Sequence, residues 1–221
     1  DDGQYFADLG YASDTEVLRA NFSKPSKNQV GKYGYALSAD VESDQGQYQL
    51  RGDYVSNRVR YDGDITYYNT TESEDSVVTS FRPSTAFTIS DGTLSWSRPI
   101  YGAAAVVQVH DTLESEVLIN SDDDDNAEAI SSNGLNNAVS LSTAHTSQSF
   151  TVYAPDAPIG YDIGNYFYNV TPGAYTSHIF TVGSDASKTV IGRLNLTDGK
   201  PLSLTQGYFI NDTGDSIPFF T

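Results

Sequence analysis

The sequence predicts an all-β protein in which antiparallel, barrel-like strands are followed by small β-sandwich domains. Several segments alternate apolar and polar residues with the period of two that a strand requires. The 16 Tyr, 10 Phe and 18 Gly are typical of strands and turns, and no window has convincing helical periodicity. With 221 residues, 38% of them hydrophobic, the chain can form one large or two small domains.

The clearest alternation covers residues 46–69, two predicted strands joined by a turn at Ser56-Asn57. One face is rich in Tyr and aliphatic residues. The other face carries charges, and its members are Arg51, Asp53, Arg58, Arg60, Asp62 and Asp64. Such a sheet suits a soluble protein in which one face of the sheet is exposed to solvent. It equally suits a transmembrane β-barrel whose lumen is charged. Periodicity alone leaves both architectures open.

The remaining segments of the first half show the same alternation of apolar and polar residues. Strands are predicted at residues 5–11, 16–23, 32–41, 77–90 (one long strand or a pair bent around Pro83), 93–97 and 103–109. Asp91-Gly92 is a strong hairpin turn signal between two of them. Segments of roughly 8 to 12 residues match the strands of membrane barrels, which need about 9–11. An ordinary antiparallel meander, with strands of about five or six residues, is the competing interpretation.

The character of the chain changes near residue 111. Residues 121–138 form a polar tract that we predict to be an exposed loop. Its Asp122–Asp125 run lacks the spaced acidic pattern that wraps calcium, so a solvated loop is favoured over an ion site. Shorter strands are predicted within 139–153 and at 166–170, 178–182, 189–196 and 202–210. The predicted domains are therefore residues 1–110 (barrel-like strands), 111–187 (a β-sandwich) and 188–221 (the start of a second, truncated β-domain).

Composition excludes several classes of function. Without Cys, the chain has no disulfide or thiolate metal site, and a net charge of −17 argues against binding nucleic acid. The three His are far apart in sequence, and neither a G-x-S-x-G elbow nor a phosphate-binding loop is present. We therefore expect no enzyme, cofactor or metal. The absence of Met, even at position 1, indicates a mature or excised piece of a longer protein.

Glycosylation provides a different hypothesis. Five N-x-S/T sequons occur, at Asn21, Asn69, Asn169, Asn195 and Asn211. In a chain this rich in Asn, Ser and Thr, several arise by chance. Together with the acidity they keep open the alternative of a secreted or cell-surface β-sandwich protein, an adhesin or filament subunit.

Segments along the second half resemble the fimbrial outer-membrane ushers of the chaperone–usher pathway, closer to the archaic or alternative type than to the ushers of P and type 1 pili. The resemblance starts at Asp91-Gly-Thr-Leu-Ser-Trp-Ser-Arg-Pro-Ile and continues into the run that ends at Val109. Its further segments are 117–120, 154–164, 170–175, 182–185, 190–194, 198–202, Gly207 and 218–221. No single motif is specific, and the order and spacing carry the resemblance. Residues 1–90 match only in their barrel-like texture.

The resemblance implies a C-terminal portion of an usher: the last barrel strands followed by periplasmic domains. Ushers accept pilus subunits from periplasmic chaperones, assemble them and secrete the growing pilus, so the implied partners are chaperone–subunit complexes and outer-membrane lipid. The six charged residues named above would then face the lumen of the pore. The chain departs from the family in having too few strands for a barrel and no recognisable plug or N-terminal domain, so by itself it would not close a pore.

Overall fold

The protein is all-β, as the sequence predicts. The structure, a computed structural model, describes residues 3–71, 73–122, 126–187, 195, 206–210 and 216–220. The chain divides into two compact units, residues 1–187 and residues 188–221. The predicted strand at 189–196 lies outside the described residues apart from Asn195, and so does the start of the one at 202–210.

Six strands form an open antiparallel sheet in which each strand pairs with the next in sequence. These strands are β1 (Phe6–Ala12), β2 (Val17–Lys24), β3 (Tyr33–Val41), β4 (Gln45–Val55), β5 (Arg60–Thr70) and β6 (Ser76–Ser84). The predicted hairpin is present, with Tyr54 opposite Tyr61 and Leu50 opposite Ile65. Directly opposed residues share a face of the sheet, so this register sets apolar residues against apolar ones across the sheet.

A short hairpin follows the six-stranded sheet. Its strands are β7 (Ala86–Ser90) and β8 (Thr93–Ser97). Asp91 and Gly92 join them with positive φ angles of 43° and 79°, as a two-residue hairpin turn requires. The segment 77–90 is thus divided into two strands, but the division falls at Thr85. Pro83 stays inside β6, opposite Tyr61.

The next seven strands form a β-sandwich of two sheets. They are β9 (Ala103–Val109), β10 (Val117–Ile119), β11 (Ala129–Ser131), β12 (Asn137–Leu141), β13 (Gln148–Tyr153), β14 (Phe167–Val170) and β15 (Ser177–Val182). One sheet has the order β11-β10-β13-β14, and the other has the order β12-β9-β15 with a parallel pairing between β9 and β15. The sandwich therefore starts at β9, a strand that the sequence analysis grouped with residues 1–110.

The core lies inside this sandwich. Val107, Leu113, Val117, Ile119 and Val182 have no exposed surface. Three rings, those of Phe150, Tyr168 and Phe180, pack with centroids 4.8–5.2 Å apart. The six-stranded sheet, in contrast, has no comparable cluster of buried apolar residues among those described.

The prediction that residues 121–138 form an exposed loop is wrong for residues 127–132 and 136–138, which are buried or half-buried, and holds for residues 133–135. The two wrongly predicted segments contain β11 and the start of β12, and Ala127, Ala129, Ser131 and Asn137 are buried. The polar members stay buried because they are hydrogen-bonded: the Ser131 hydroxyl donates to the Val107 carbonyl at 2.7 Å and accepts from the Asn137 amide at 2.7 Å.

In the second unit, β16 (Gln206–Ile210) pairs antiparallel with β17 (Ser216–Phe220).

Candidate functional site: a two-faced sheet and the sandwich at its end

The apolar face of the six-stranded sheet is the surface formed by alternate residues of β1–β6. The register places Leu37, Leu50 and Ile65 side by side in its centre. These side chains are 46–48% exposed, and Leu9 at the edge is 74% exposed. Among the described strand residues on this face, the only charged one is Lys24 at one end, where its ammonium group lies 4.4 Å from the Tyr33 ring centroid. No second layer of the described structure covers the centre of this broad apolar surface.

Aromatic rings occupy both ends of the apolar face. We call the end with the turns at 25–32 and 56–59 the lower end. There Tyr61 lies between Tyr54 and Phe81, with ring centroids 6.3 and 6.0 Å apart. At the upper end Tyr48 and Tyr67 pair at 6.1 Å. Aliphatic residues thus lie between two groups of aromatic residues.

The polar face is the opposite side of the same sheet, and it carries five of the six predicted charged residues. Arg51 lies opposite Asp64, and Asp53 lies opposite Asp62. Arg60 is the next residue of β5 on this face, opposite Val55. The Arg60 guanidinium approaches the carboxylates of Asp53 and Asp62 at 3.4 Å each. The charges therefore compensate one another within the face.

Two hydroxyl groups and a second ion pair complete the polar face. The Ser26 hydroxyl donates to Asp53, and the Ser80 hydroxyl donates to Asp64. Nearer the upper end Arg19 pairs with Asp40 at 3.4 Å. A broad depression of about 520 Å³ runs along the lower half of the sheet, and its polar lining includes Arg51, Asp53, Asp62, Asp64 and Arg82.

Arg58 differs from the other predicted members because it lies in the turn between β4 and β5, not on a strand. Its guanidinium donates to the backbone carbonyls of Trp96, Leu135 (2.8 Å) and Asn136 (3.1 Å). It also lies 5.5 Å from the Trp96 ring, and burial lowers the pKa of Arg58. Arg58 thus joins the sheet to the hairpin and the sandwich. The sequence analysis expected a two-residue turn at Ser56-Asn57, so strict alternation placed Arg58 on the charged face. The turn instead has four residues, 56–59, and contains Arg58.

Asn57 in the same turn fixes the sheet to the sandwich, a role that the sequence analysis missed. Its side-chain amide donates to the Ile130 carbonyl at 2.9 Å and its side-chain carbonyl accepts from the Ile130 amide at 2.8 Å. The buried Asn137 side chain donates to the same Asn57 oxygen at 2.7 Å. The neighbouring turn adds a backbone bond from Val30 to Ala127 at 2.8 Å. Asn is common in turns, so its presence here could not have predicted this contact.

A polar groove lies where the lower end of the polar face meets the sandwich. Its volume is about 380 Å³. Its charged lining residues are Arg60, Asp62, Arg82, Arg98 and Glu128. The segment that leads into the sandwich contributes residues 98–101, and the sandwich itself contributes Glu128 and the middle of β12, so the sandwich meets the sheet on the polar side at this end.

The other predicted sites are distributed as follows. Asn21, Asn69, Asn169 and Asn195 are exposed, and Asn211 lies outside the described residues. Asp122 contacts Gln29 at 2.9 Å and its own neighbour Asn126, whereas Asp123–Asp125 are outside the described residues. Across the described part of the chain, no group of three or more acidic or His residues is arranged to hold a metal ion. That part also lacks a helix long and apolar enough to cross a membrane.

Comparisons with known proteins give little. No protein-family model matches the chain, and no curated protein matches it. Among solved structures, the chain is similar to the Bacillus anthracis TIE protein with 10% sequence identity and a TM-score of 0.21. The match covers 97% of this chain and 47% of that one, so this chain spans less than half the length of that protein. A likeness at this TM-score carries no argument about function.

Proposed function

We propose that the six-stranded sheet is a section of an outer-membrane β-barrel wall, with its apolar face towards lipid and its polar face towards the lumen. The observation that carries the proposal is the exposed apolar face with its aromatic ends. In barrel proteins the lipid-facing surface is an apolar band about 25 Å tall between two girdles of aromatic residues. Tyr and Trp suit these positions because their rings are apolar and their polar ends reach the headgroups.

The lengths of strands β3–β6, which contain 9–11 residues, agree with this role, whereas β1 and β2 contain seven and eight. Strands β4 and β5 each contain 11 residues. A strand of that length is about 37 Å long and, at a tilt of about 45°, rises roughly 26 Å. A soluble sheet with one wet face would need a second layer over Leu37, Leu50 and Ile65, which remain about half exposed.

Lipid also sets a requirement at the edges of the sheet. Within the described residues β1 and β6 each have one neighbouring strand. Backbone groups left unpaired in a bilayer cost several kcal/mol each. The proposal therefore requires further strands, from outside the described sheet, to pair with both edges and complete the barrel.

We further propose that the chain works as the C-terminal part of a fimbrial usher, with the sandwich on the periplasmic side. The ordered resemblance from Asp91 to Thr221 supports this role. Chaperone–subunit complexes would then be the partners that the sandwich meets.

Lipid exposure can be tested with single-cysteine variants, because the chain has no native Cys. Leu50→Cys and Gln49→Cys differ by one position and lie on opposite faces. After labelling with a fluorescent probe and insertion into phosphatidylcholine vesicles, a lipid-attached quencher should quench the probe at position 50 and spare the one at position 49. Leu37→Cys with Ser38→Cys, and Ile65→Cys with Thr66→Cys, repeat the comparison on β3 and β5.

Two results would contradict the membrane role. One is equal quenching at both members of each pair. The other is a folded, monomeric 221-residue chain in the absence of detergent or lipid, which would favour the secreted or cell-surface alternative. The usher role has its own test: the detergent-solubilised chain should capture purified chaperone–subunit complexes. Failure to capture them would count against the usher role and leave the membrane role standing.

A further inference from the structure

The polar groove concentrates positive charge in an otherwise acidic protein. The chain has a net charge of −17 and 12 Lys and Arg residues. Three Arg side chains, Arg60, Arg82 and Arg98, line the one groove. Arg60 and Arg82 come from neighbouring strands of the polar face, and Arg98 comes from the segment that leads into the sandwich.

The acidic residues of the groove are already engaged. Asp62 pairs with Arg60. The two carboxylate oxygens of Glu128 accept hydrogen bonds from the side-chain amides of Asn28 (3.1 Å) and Asn120 (2.7 Å). Glu128 stays close enough to favour the charged form of Arg98, but the two side chains form no direct ion pair.

Arg98 is consequently a partly desolvated cation whose nearest partners are neutral. Its guanidinium donates to the Asn28 side-chain oxygen at 2.7 Å and to the Glu128 backbone carbonyl. Burial lowers the pKa of Arg98, the charge of Glu128 raises it in part, and the charge of Arg60 has the smallest effect, a lowering one. The Arg98 guanidinium is thus partly desolvated in a groove that the other two Arg side chains also line.

Arg82 provides exposed donors. It lies on β6, the last strand of the sheet, opposite Asp62. Within the described part of the protein it has neither a hydrogen bond nor an ion pair, and its side chain is exposed. A guanidinium group in this state can bind a carboxylate with two parallel hydrogen bonds.

We propose that the groove binds the carboxylate side chains of an extended acidic polypeptide segment. A volume of about 380 Å³ lies within the range of ligand pockets, roughly 300–1,000 Å³, and exceeds the share of about 30 Å³ that one water molecule takes up. Arg60 is already paired with Asp53 and Asp62, so Arg82 and Arg98, whose partners are neutral or absent among the described residues, are the guanidinium groups that suit carboxylates on one chain. Tyr101, 71% exposed, and Ile100 add apolar surface beside the charges. The groove opens on the polar face, where a polypeptide crossing a lumen would pass.

Binding requires only described residues of the sheet and the sandwich, so it is measurable whether or not the sheet faces lipid. The experiment uses the 221-residue chain in non-ionic detergent and a fluorescent Glu-Gly-Glu-Gly-Glu-Gly peptide, with Gln-Gly-Gln-Gly-Gln-Gly as the uncharged control. Fluorescence anisotropy should show binding of the Glu peptide alone, weakening as the salt concentration rises.

Arg82→Gln should weaken this binding about tenfold or more, since a hydrogen bond to a charged group is lost. Arg19→Gln is the matched control, because Arg19 lies on the same polar face but outside the groove, paired with Asp40. Equal binding of both peptides, an unchanged affinity in Arg82→Gln, or an equal loss in Arg19→Gln would each overturn the proposal. Inorganic phosphate that displaces the fluorescent peptide at a concentration as low as that of unlabelled Glu peptide would also overturn the proposal, because it would show a general anion site.

Discussion

Replacing Asn57 by Ala should weaken the attachment of the sheet to the sandwich by about 3 kcal/mol. The substitution removes three side-chain hydrogen bonds of 2.7–2.9 Å, two with the backbone of Ile130 and one with the side chain of Asn137. Each contributes about 0.5–1.5 kcal/mol net. Asn137 keeps its own bond to the Ile130 carbonyl at 3.1 Å, so the group left without its partner is the Ile130 amide hydrogen.

The direct measurement is hydrogen exchange at the Ile130 amide. A loss of about 3 kcal/mol raises the equilibrium population of the open form about 100-fold, because about 1.4 kcal/mol corresponds to a factor of ten. Exchange at Ile130 should accelerate by that factor while amides in β9, which lie inside the sandwich, keep their protection. Asn133→Ala is the control, since Asn133 makes a single long bond of 3.4 Å to the Asp111 carbonyl. Acceleration of less than about threefold at Ile130 would refute the reasoning, because even one lost bond of average strength predicts more.

Three further outcomes are expected. Leu113→Ala should lower the free energy of unfolding by about 2–5 kcal/mol, measured by urea unfolding, because a side chain with no exposed surface leaves a cavity. Gly34→Ala should disrupt the turn beside β3, since its Cβ would lie 2.5 Å from the Ser26 backbone nitrogen, whereas Gly10→Ala has open space; equal thermal stability of the two variants would contradict this. Burial raises the pKa of Tyr168, so the folded state holds its proton more tightly than the unfolded state does. This contribution to stability is complete below the unfolded pKa of about 10 and is lost as the pH rises through the folded value, and Tyr168→Phe should therefore flatten the fall in stability above pH 10 in alkaline unfolding curves.

The sheet is the part of the fold that the sequence predicts best. Alternation in residues 46–69 gave the two faces, and the structure pairs Tyr48 with Tyr67 and Leu50 with Ile65 accordingly. Asp91-Gly92 marked the separate β7–β8 hairpin because few residues other than Gly and Asn or Asp adopt positive φ readily. These signals are local: a strand's period and a turn's backbone angles are set by residues that are neighbours in sequence.

The candidate site is predictable only in part. Alternation places Arg51, Asp53, Arg60, Asp62 and Asp64 on one face, and they lie there. It fails for Arg58, because the length of a turn decides where the alternation restarts. The groove could not be predicted, since Arg98 is 38 residues from Arg60 and reaches it only through the docking of the sandwich.

The sequence by itself determined the all-β class, the division of the sheet into an apolar and a charged face, and most strands. Only the tertiary structure decided that the sandwich starts at β9, that polar Ser131 and Asn137 lie in its interior, and that Asn57 and Arg58 attach it to the lower end of the sheet. The physical reason is the range of the interactions. Alternation follows from the pleat of a single strand, whereas a buried hydroxyl or amide is stable only when a partner distant in sequence completes its hydrogen bonds.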